Sequence, residues 1–454
     1  MFRLFCILLL AAFASIEPEI ARAANFELEF EGTLVSKPRT GESVPVAKFS
    51  VYALASLETE TKSGSVFWLV EDAGNGSAWP ESFGEIAWSD NQKSGEREPH
   101  ILYTHNNLPS PIALPKLLTS PGEIPQTGKK IVDGRNSYDL VGTETYRNRE
   151  CLKLEVSTNF GRAGTCLVEK ETGILMSAKR KLFLGQGDEF ELTLELKDRR
   201  EPIGEKYDKL NAIRERINAL QTALARTERD MRPELTPEQL KQVAAALPEL
   251  DKLAENTPFQ ALAVRIQRDY RVQSQRVADV STLSAEMIGK KIDKLTLVKL
   301  NGEPIPAADL EDKILVLHFW KYHEDPLREP YGQVGYLDFL EGKRGKLGVK
   351  FVGVAVDPKL GDPATSDATL RAIKKLVSFM NLGYDIAKDN GSLLEIFGDP
   401  RKAGAELPLW VVVDPNGKIV HYKAGLYQVN PRDGLQELDD ILVEQIKAKR
   451  AAAK

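Results

Sequence analysis

Between about residues 25 and 200, hydrophobic positions come in short runs that alternate with polar ones. Examples are Cys151-Leu152-Lys153-Leu154-Glu155-Val156 and Phe190-Glu191-Leu192-Thr193-Leu194-Glu195-Leu196, and clusters of Gly, Asn, Ser and Pro separate the runs. A period of two gives each strand one apolar and one polar face, so the stretch predicts an antiparallel β domain with its sheet packed on one side. From about residue 204 the period lengthens. Leu210, Ile213, Ile217, Leu220 and Leu224 recur at three- and four-residue intervals among Lys, Arg and Glu, the stripe of an amphipathic helix. Thr236-Pro237-Glu238-Gln239 and Thr257-Pro258-Phe259-Gln260 each place a hydroxyl at an N-cap, proline at the first helical position and glutamine at the third, so two more helices are expected. The three helices suit a small bundle or a semi-rigid spacer. Their apolar stripe must cover itself with a neighbour or with a second copy, which makes a homodimer through this connector the alternative.

Beyond about residue 287 strands and helices alternate. Residues 314–320 and 351–357 are almost wholly apolar, as buried parallel strands are, and a helix fits between them. Leu409-Trp410-Val411-Val412-Val413 and Lys418-Ile419-Val420-His421-Tyr422 flank Pro415-Asn416-Gly417, the signature of a hairpin. The expected fold is therefore multidomain, with a leader at 1–23, an antiparallel β domain at 25–200, a helical connector at 204–286 and an α/β domain at 287–450.

Composition narrows the function. The 454 residues include 61 Lys and Arg against 66 Asp and Glu, for a formal charge of −5, so there is no global basic field and nucleic acid is not expected as a partner. Arg3, the apolar run at 4–14 and Ala21-Arg22-Ala23 have the layout of a secretory signal cleaved after Ala23, with Ala14 the alternative site. No later run is long and apolar enough to span a bilayer, so the cleaved product is expected to have no transmembrane segment. Cys6 would leave with the leader. Cys151 and Cys166, the two that remain, lie equidistant from a turn centred near Thr158-Asn159, so a regular hairpin sets them opposite each other. A structural disulfide is the first expectation; two free buried thiols or a redox-active pair are the alternatives. His318, His323 and His421 are too sparse for zinc, and no metal or cofactor is expected.

The last region resembles thioredoxin-fold proteins of the TlpA and AhpC/TSA (redoxin) kind. The resemblance rests on an ordered set: Met287-Ile288-Gly289-Lys290, Leu317-His318-Phe319-Trp320, Val354-Ala355-Val356-Asp357, residues 385–397 and Glu406-Leu407-Pro408-Leu409-Trp410. It implies a thioredoxin-like α/β domain with Pro408 in the cis form, and a groove at Trp320, Leu407 and Pro408 where active relatives lay an extended substrate. Those relatives exchange disulfides through Cys-x-x-Cys at a helix N-terminus, which stabilises the attacking thiolate. In this chain Glu324, Asp325, Pro326 and Leu327 fill that motif, with Glu324 and Leu327 in the cysteine positions, and no cysteine follows Cys166. Neither a carboxylate nor an aliphatic side chain performs thiol exchange. The implied protein is an exported, periplasmic or extracellular bacterial one whose degenerate redox domain carries no catalytic residue and binds a polypeptide or small hydrophobic ligand, or serves assembly. The competing implication is a thiol:disulfide oxidoreductase or antioxidant redoxin working through Cys151 and Cys166.

The stretch at 146–196 is similar to LolA-like half-barrels of the bacterial envelope, whose concave apolar face takes lipid or hydrophobic ligands; an ordinary sheet core has the same pattern. Trp68, Trp79 and Trp88 suit either an exposed aromatic rim or a packed loop.

Overall fold

The computed structural model describes residues 24–58, 63–72, 78–89, 92–94, 98–106, 108–119, 129–134, 136–159, 161–226, 234–292, 295–322, 333–430 and 432–452. The expected leader lies outside them. Mostly β with several helices, the chain divides into two compact units, Met1–Tyr270 and Arg271–Lys454.

Among the described residues the first unit contains thirteen strands: β1 (Ala24–Ser36), β2 (Val44–Glu58), β3 (Ser63–Asp72), β4 (Phe83–Ser89), β5 (Gln92–Ser94), β6 (His100–His105), β7 (Leu108–Ala113), β8 (Ile131–Asp133), β9 (Asn136–Tyr146), β10 (Arg149–Thr158), β11 (Gly161–Glu169), β12 (Leu175–Leu184) and β13 (Asp188–Arg200). Eleven form one sheet in the order β5-β4-β3-β2-β1-β13-β12-β11-β10-β9-β8, and β6 and β7 make a separate hairpin. Within the sheet β1 to β5 and β8 to β13 each run in sequence order, β5 and β8 form the two edges, and β1 pairs with β13, which joins the first and last strands antiparallel.

The expectation of a sheet packed on one side needs correction. In β3, Val66, Trp68 and Val70 enter one core with Phe30, Leu154 and Phe190, while Phe67 and Leu69 enter a second core on the opposite face. A strand buried on both faces has no polar side to show, which is why Val66-Phe67-Trp68-Leu69-Val70 is a continuous apolar run. Trp68, Trp79 and Trp88 are all buried, so they form no exposed rim.

The second core is closed by α1 (Glu205–Leu224), α2 (Pro237–Ala254) and the part of α3 (Gln260–Met287) up to Tyr270. Leu210, Ile213, Ile217, Leu220 and Leu224 are all buried there with Tyr52, Phe67 and Phe83. The segment therefore packs on the sheet of its own chain rather than standing as a spacer, and the stripe assigned to a homodimer is already covered. The first predicted cap is present: Thr236 Oγ1 accepts from the Gln239 N–H at 3.2 Å, and Gln239 Oε1 accepts from the Thr236 N–H at 3.0 Å. The second is displaced. Thr257 Oγ1 accepts from the Phe259 N–H at 3.2 Å, Gln260 Oε1 accepts from the Asn256 N–H at 3.3 Å, and the regular helix begins only at Gln260.

The second unit is built on β14 (Ile314–Lys321), α4 (Val334–Arg344), β15 (Val349–Val356), α5 (Ser366–Phe379), β16 (Asp385–Asp389), α6 (Ser392–Ile396), β17 (Leu409–Val413), β18 (Ile419–Ala424) and α7 (Gln436–Ala452). Its sheet runs β16-β15-β14-β17-β18, with β14, β15 and β16 parallel and β17 and β18 antiparallel. Seven consecutive residues of β14, Ile314 to Trp320, are buried because both faces of this central strand are covered by apolar cores. Asp439 ties α7 to α4, accepting from Arg344 Nε and Nη2 at 2.6 and 2.9 Å and from Lys343 Nζ at 2.6 Å. Among the described residues, no helix is long and apolar enough to cross a membrane.

Candidate functional sites

In the second unit, the β14/β17 ladder ends with Phe319 opposite Leu409, so Trp320 and Pro408 fall level just beyond its last rung. The Leu407–Pro408 peptide is cis. Pro408 is buried and its carbonyl accepts from the Gly425 N–H at 2.7 Å, while Leu407 is half-buried. Trp320 is buried in the core beside Tyr322. The segment carrying Glu324, Asp325, Pro326 and Leu327, and His323 with it, lies outside the described residues. His318 is wholly buried and stacks on Trp410 with ring centroids 3.8 Å apart, the setting of a core histidine. His421 Nε2 lies 2.7 Å from the Tyr427 hydroxyl; burial lowers the pKa of the histidine and raises that of the tyrosine, so the pair is neutral near pH 7.

Cys151 and Cys166 are not bonded. Both are free and buried. Cys151 lies opposite Glu169, and Cys166 lies opposite Leu154, three positions further along β10. At about 3.3 Å per strand residue this separates the two sites by about 10 Å, beyond the roughly 7 Å limit of a disulfide. The hairpin closes at Thr158 opposite Gly161, one position beyond the expected centre, and a bulge between Val156 and Ser157 shifts the register again. Burial pushes the Cys166 thiol up to about 11 against the opposing influence of Arg180. Burial also raises Cys151, outweighing the hydrogen bond from the Tyr146 backbone. Neither is a thiolate at neutral pH, so neither is an effective nucleophile.

A roomier cavity lies elsewhere in the first unit, among the described residues. A cleft of about 690 Å³ is lined by the β7 end of the hairpin (Pro111, Ile112, Ala113) and by residues of β9 to β12, among them Asn136, Tyr138, Ala163, Arg180, Leu182 and Leu184. Its walls are mainly apolar, and Lys116, Arg162, Arg180 and Lys181 bring positive charge, with Glu98 as an acidic lining residue. Two tighter pockets of about 40 and 20 Å³ share Lys116 with it; the second reaches Cys166, and their linings are predominantly apolar. Arg180 Nη2 donates to Asn136 Oδ1 at 3.1 Å. Sequence reasoning missed this residue, although a signal was present. Along β12 the more buried alternate positions are Ala178, Arg180, Leu182 and Leu184, so one cation stands in an apolar register.

No family model matches the chain, and no curated protein matches it significantly. Solved structures similar to it include a thiol:disulfide interchange protein of the thioredoxin family from Chlorobium tepidum, at 17% identity and a TM-score of 0.27, covering 35% of this chain and 97% of that one. A secreted Mycobacterium tuberculosis disulfide oxidoreductase homologous to DsbE matches at 22% identity and a TM-score of 0.24, covering 34% of this chain and 95% of that one. A hypothetical protein from Sinorhizobium meliloti matches at 16% identity and a TM-score of 0.29, covering 36% and 85%.

Proposed function

We propose that this is an exported, periplasmic or extracellular protein that binds rather than exchanges disulfides. Its second unit serves as a thioredoxin-like module in which Glu324 and Leu327 have replaced the redox cysteines. Its first unit is a half-barrel of LolA-like character that holds an apolar ligand. The order β16-β15-β14-β17-β18 and the cis bond before Pro408 support the reading of the second unit. One observation carries the reading of inactivity: every cysteine precedes β12, and the two described ones are buried, unbonded and raised in pKa. A thiol:disulfide exchange site requires an accessible thiolate. The groove beside Leu407 and Pro408 then retains a use in gripping an extended polypeptide through its backbone, as in the relatives the motif resembles. The cleft in the first unit, within the roughly 300–1,000 Å³ typical of small-molecule sites, supports the second half of the reading.

Dithiothreitol-driven insulin reduction by the full chain tests the proposal. The expected result is a rate equal to the protein-free control, with the Cys151→Ser and Cys166→Ser variants indistinguishable from wild type. Turnover that disappears in either variant would establish the oxidoreductase reading instead.

A further inference from the structure

We propose that the cleft of the first unit takes a single-chain anionic amphiphile, its acid group held by Arg180 and Asn136 and its alkyl chain laid along the wall formed by Ile112, Tyr138, Leu182 and Leu184. The inference rests on the proposal that this unit holds an apolar ligand and adds the chemistry of the headgroup. Arg180 occupies an inward register of β12, between Ala178 and Leu182, where the pattern otherwise calls for an apolar side chain. Its partner is the neutral amide of Asn136, and among the described residues it has no carboxylate partner. By contrast, the neighbouring cations are paired: Arg162 lies 3.1 Å from Glu155 and Lys181 lies 2.6 Å from Glu189. A guanidinium on an apolar wall is costly to desolvate without an anion, and its planar fork suits a carboxylate or phosphate in two-point contact. Asn136 Oδ1, by accepting from one guanidinium nitrogen, fixes the orientation of that fork.

The rest of the lining decides between anion classes. Beside the polar and charged groups of its lining, the cleft presents a contiguous apolar set, Pro111, Ile112, Ala163, Leu182 and Leu184, which suits a methylene chain and favours an amphiphile over a wholly polar anion. Leu182, Leu184 and Tyr138 already pack against the main core, so the chain would extend an existing apolar surface.

The test uses the full protein and calorimetry with three probes held in the monomeric, soluble range: decanoate, decyl phosphate and neutral decan-1-ol. One or both acids should bind saturably and at least tenfold more tightly than the alcohol, and the two acid arms separate a carboxylate preference from a phosphate preference. Arg180→Gln should weaken the acids roughly 10–100-fold, the range of a charge-assisted hydrogen bond, and leave the alcohol unchanged. Ala113→Trp, at an exposed position on the cleft wall, should weaken all three probes without unfolding the protein. Equal affinity for acid and alcohol, or acid binding unaffected by Arg180→Gln, overturns the headgroup assignment while leaving an apolar-ligand site. Absence of saturable binding by any probe overturns both. If Arg180→Gln fails to fold, the comparison of acids with alcohol on wild type and on Ala113→Trp still decides.

Discussion

Glu169 is buried in β11, where it accepts hydrogen bonds from Arg149, from Thr172 and from Arg199 at 2.7 Å. Burial alone would raise its pKa, but those hydrogen bonds and the two arginine charges outweigh it and hold the carboxyl below its ordinary value. A depressed carboxylate contributes stability that is fully present above the unfolded value of about 4.3 and is lost as pH falls through the lower folded value. Glu169→Gln should therefore cost about 2–3 kcal/mol at pH 7, less than a fully buried pair because Arg149 is partly solvated, and the difference in urea midpoint should shrink below about pH 4. The cysteines give a second check. In denaturant without reductant, mass spectrometry should find Cys151 and Cys166 both alkylated, and native protein should resist labelling at both; an unlabelled pair in the denatured sample would restore the disulfide. Residue-level legibility was mixed for a physical reason. Pro408 sits in a local motif, whereas the partners of Cys151 and Cys166 depended on where the hairpin closes and on a bulge, neither of which a period of two reveals.

The helical stripe was readable as an element, but what it covers was not. Hydrophobic spacing shows that a face must be buried and is silent on whether a second copy or the chain's own sheet buries it. Ile217 is fully buried with residues of β2, β3 and α2, so Ile217→Ala should destabilise the fold by about 2–5 kcal/mol in thermal or urea unfolding, with the molar mass in solution unchanged. Dissociation of a dimer at unchanged stability would favour the coiled-coil alternative. Thr236→Ala removes one half of the reciprocal cap of α2 and should cost about 0.5–2 kcal/mol in the same measurement. The cap was legible because it is a contact between residues three apart. At Thr257 the same sequence signature led to a turn before the helix, since Gln260 bonds to Asn256 instead.

With no crosslink between β10 and β11, the whole molecule should melt at the same temperature with and without dithiothreitol. A disulfide closing a loop of about 15 residues would contribute about 3 kcal/mol and make the transition depend on reductant. The two compact units meet at Tyr270/Arg271, inside α3; a change of hydrophobic period marks where a helix ends and not which core its first turns join. By itself the sequence determined the strands and helices, the placing of Pro408 and the lack of any thiol after Cys166, because each is a property of neighbouring residues or of composition. Tertiary structure alone decided the register that parts the cysteines, the sheet that covers the helical stripe, and the cleft that brings Arg180 to Asn136. Those features arise between segments far apart in the chain, where local periodicity carries no information about which faces meet.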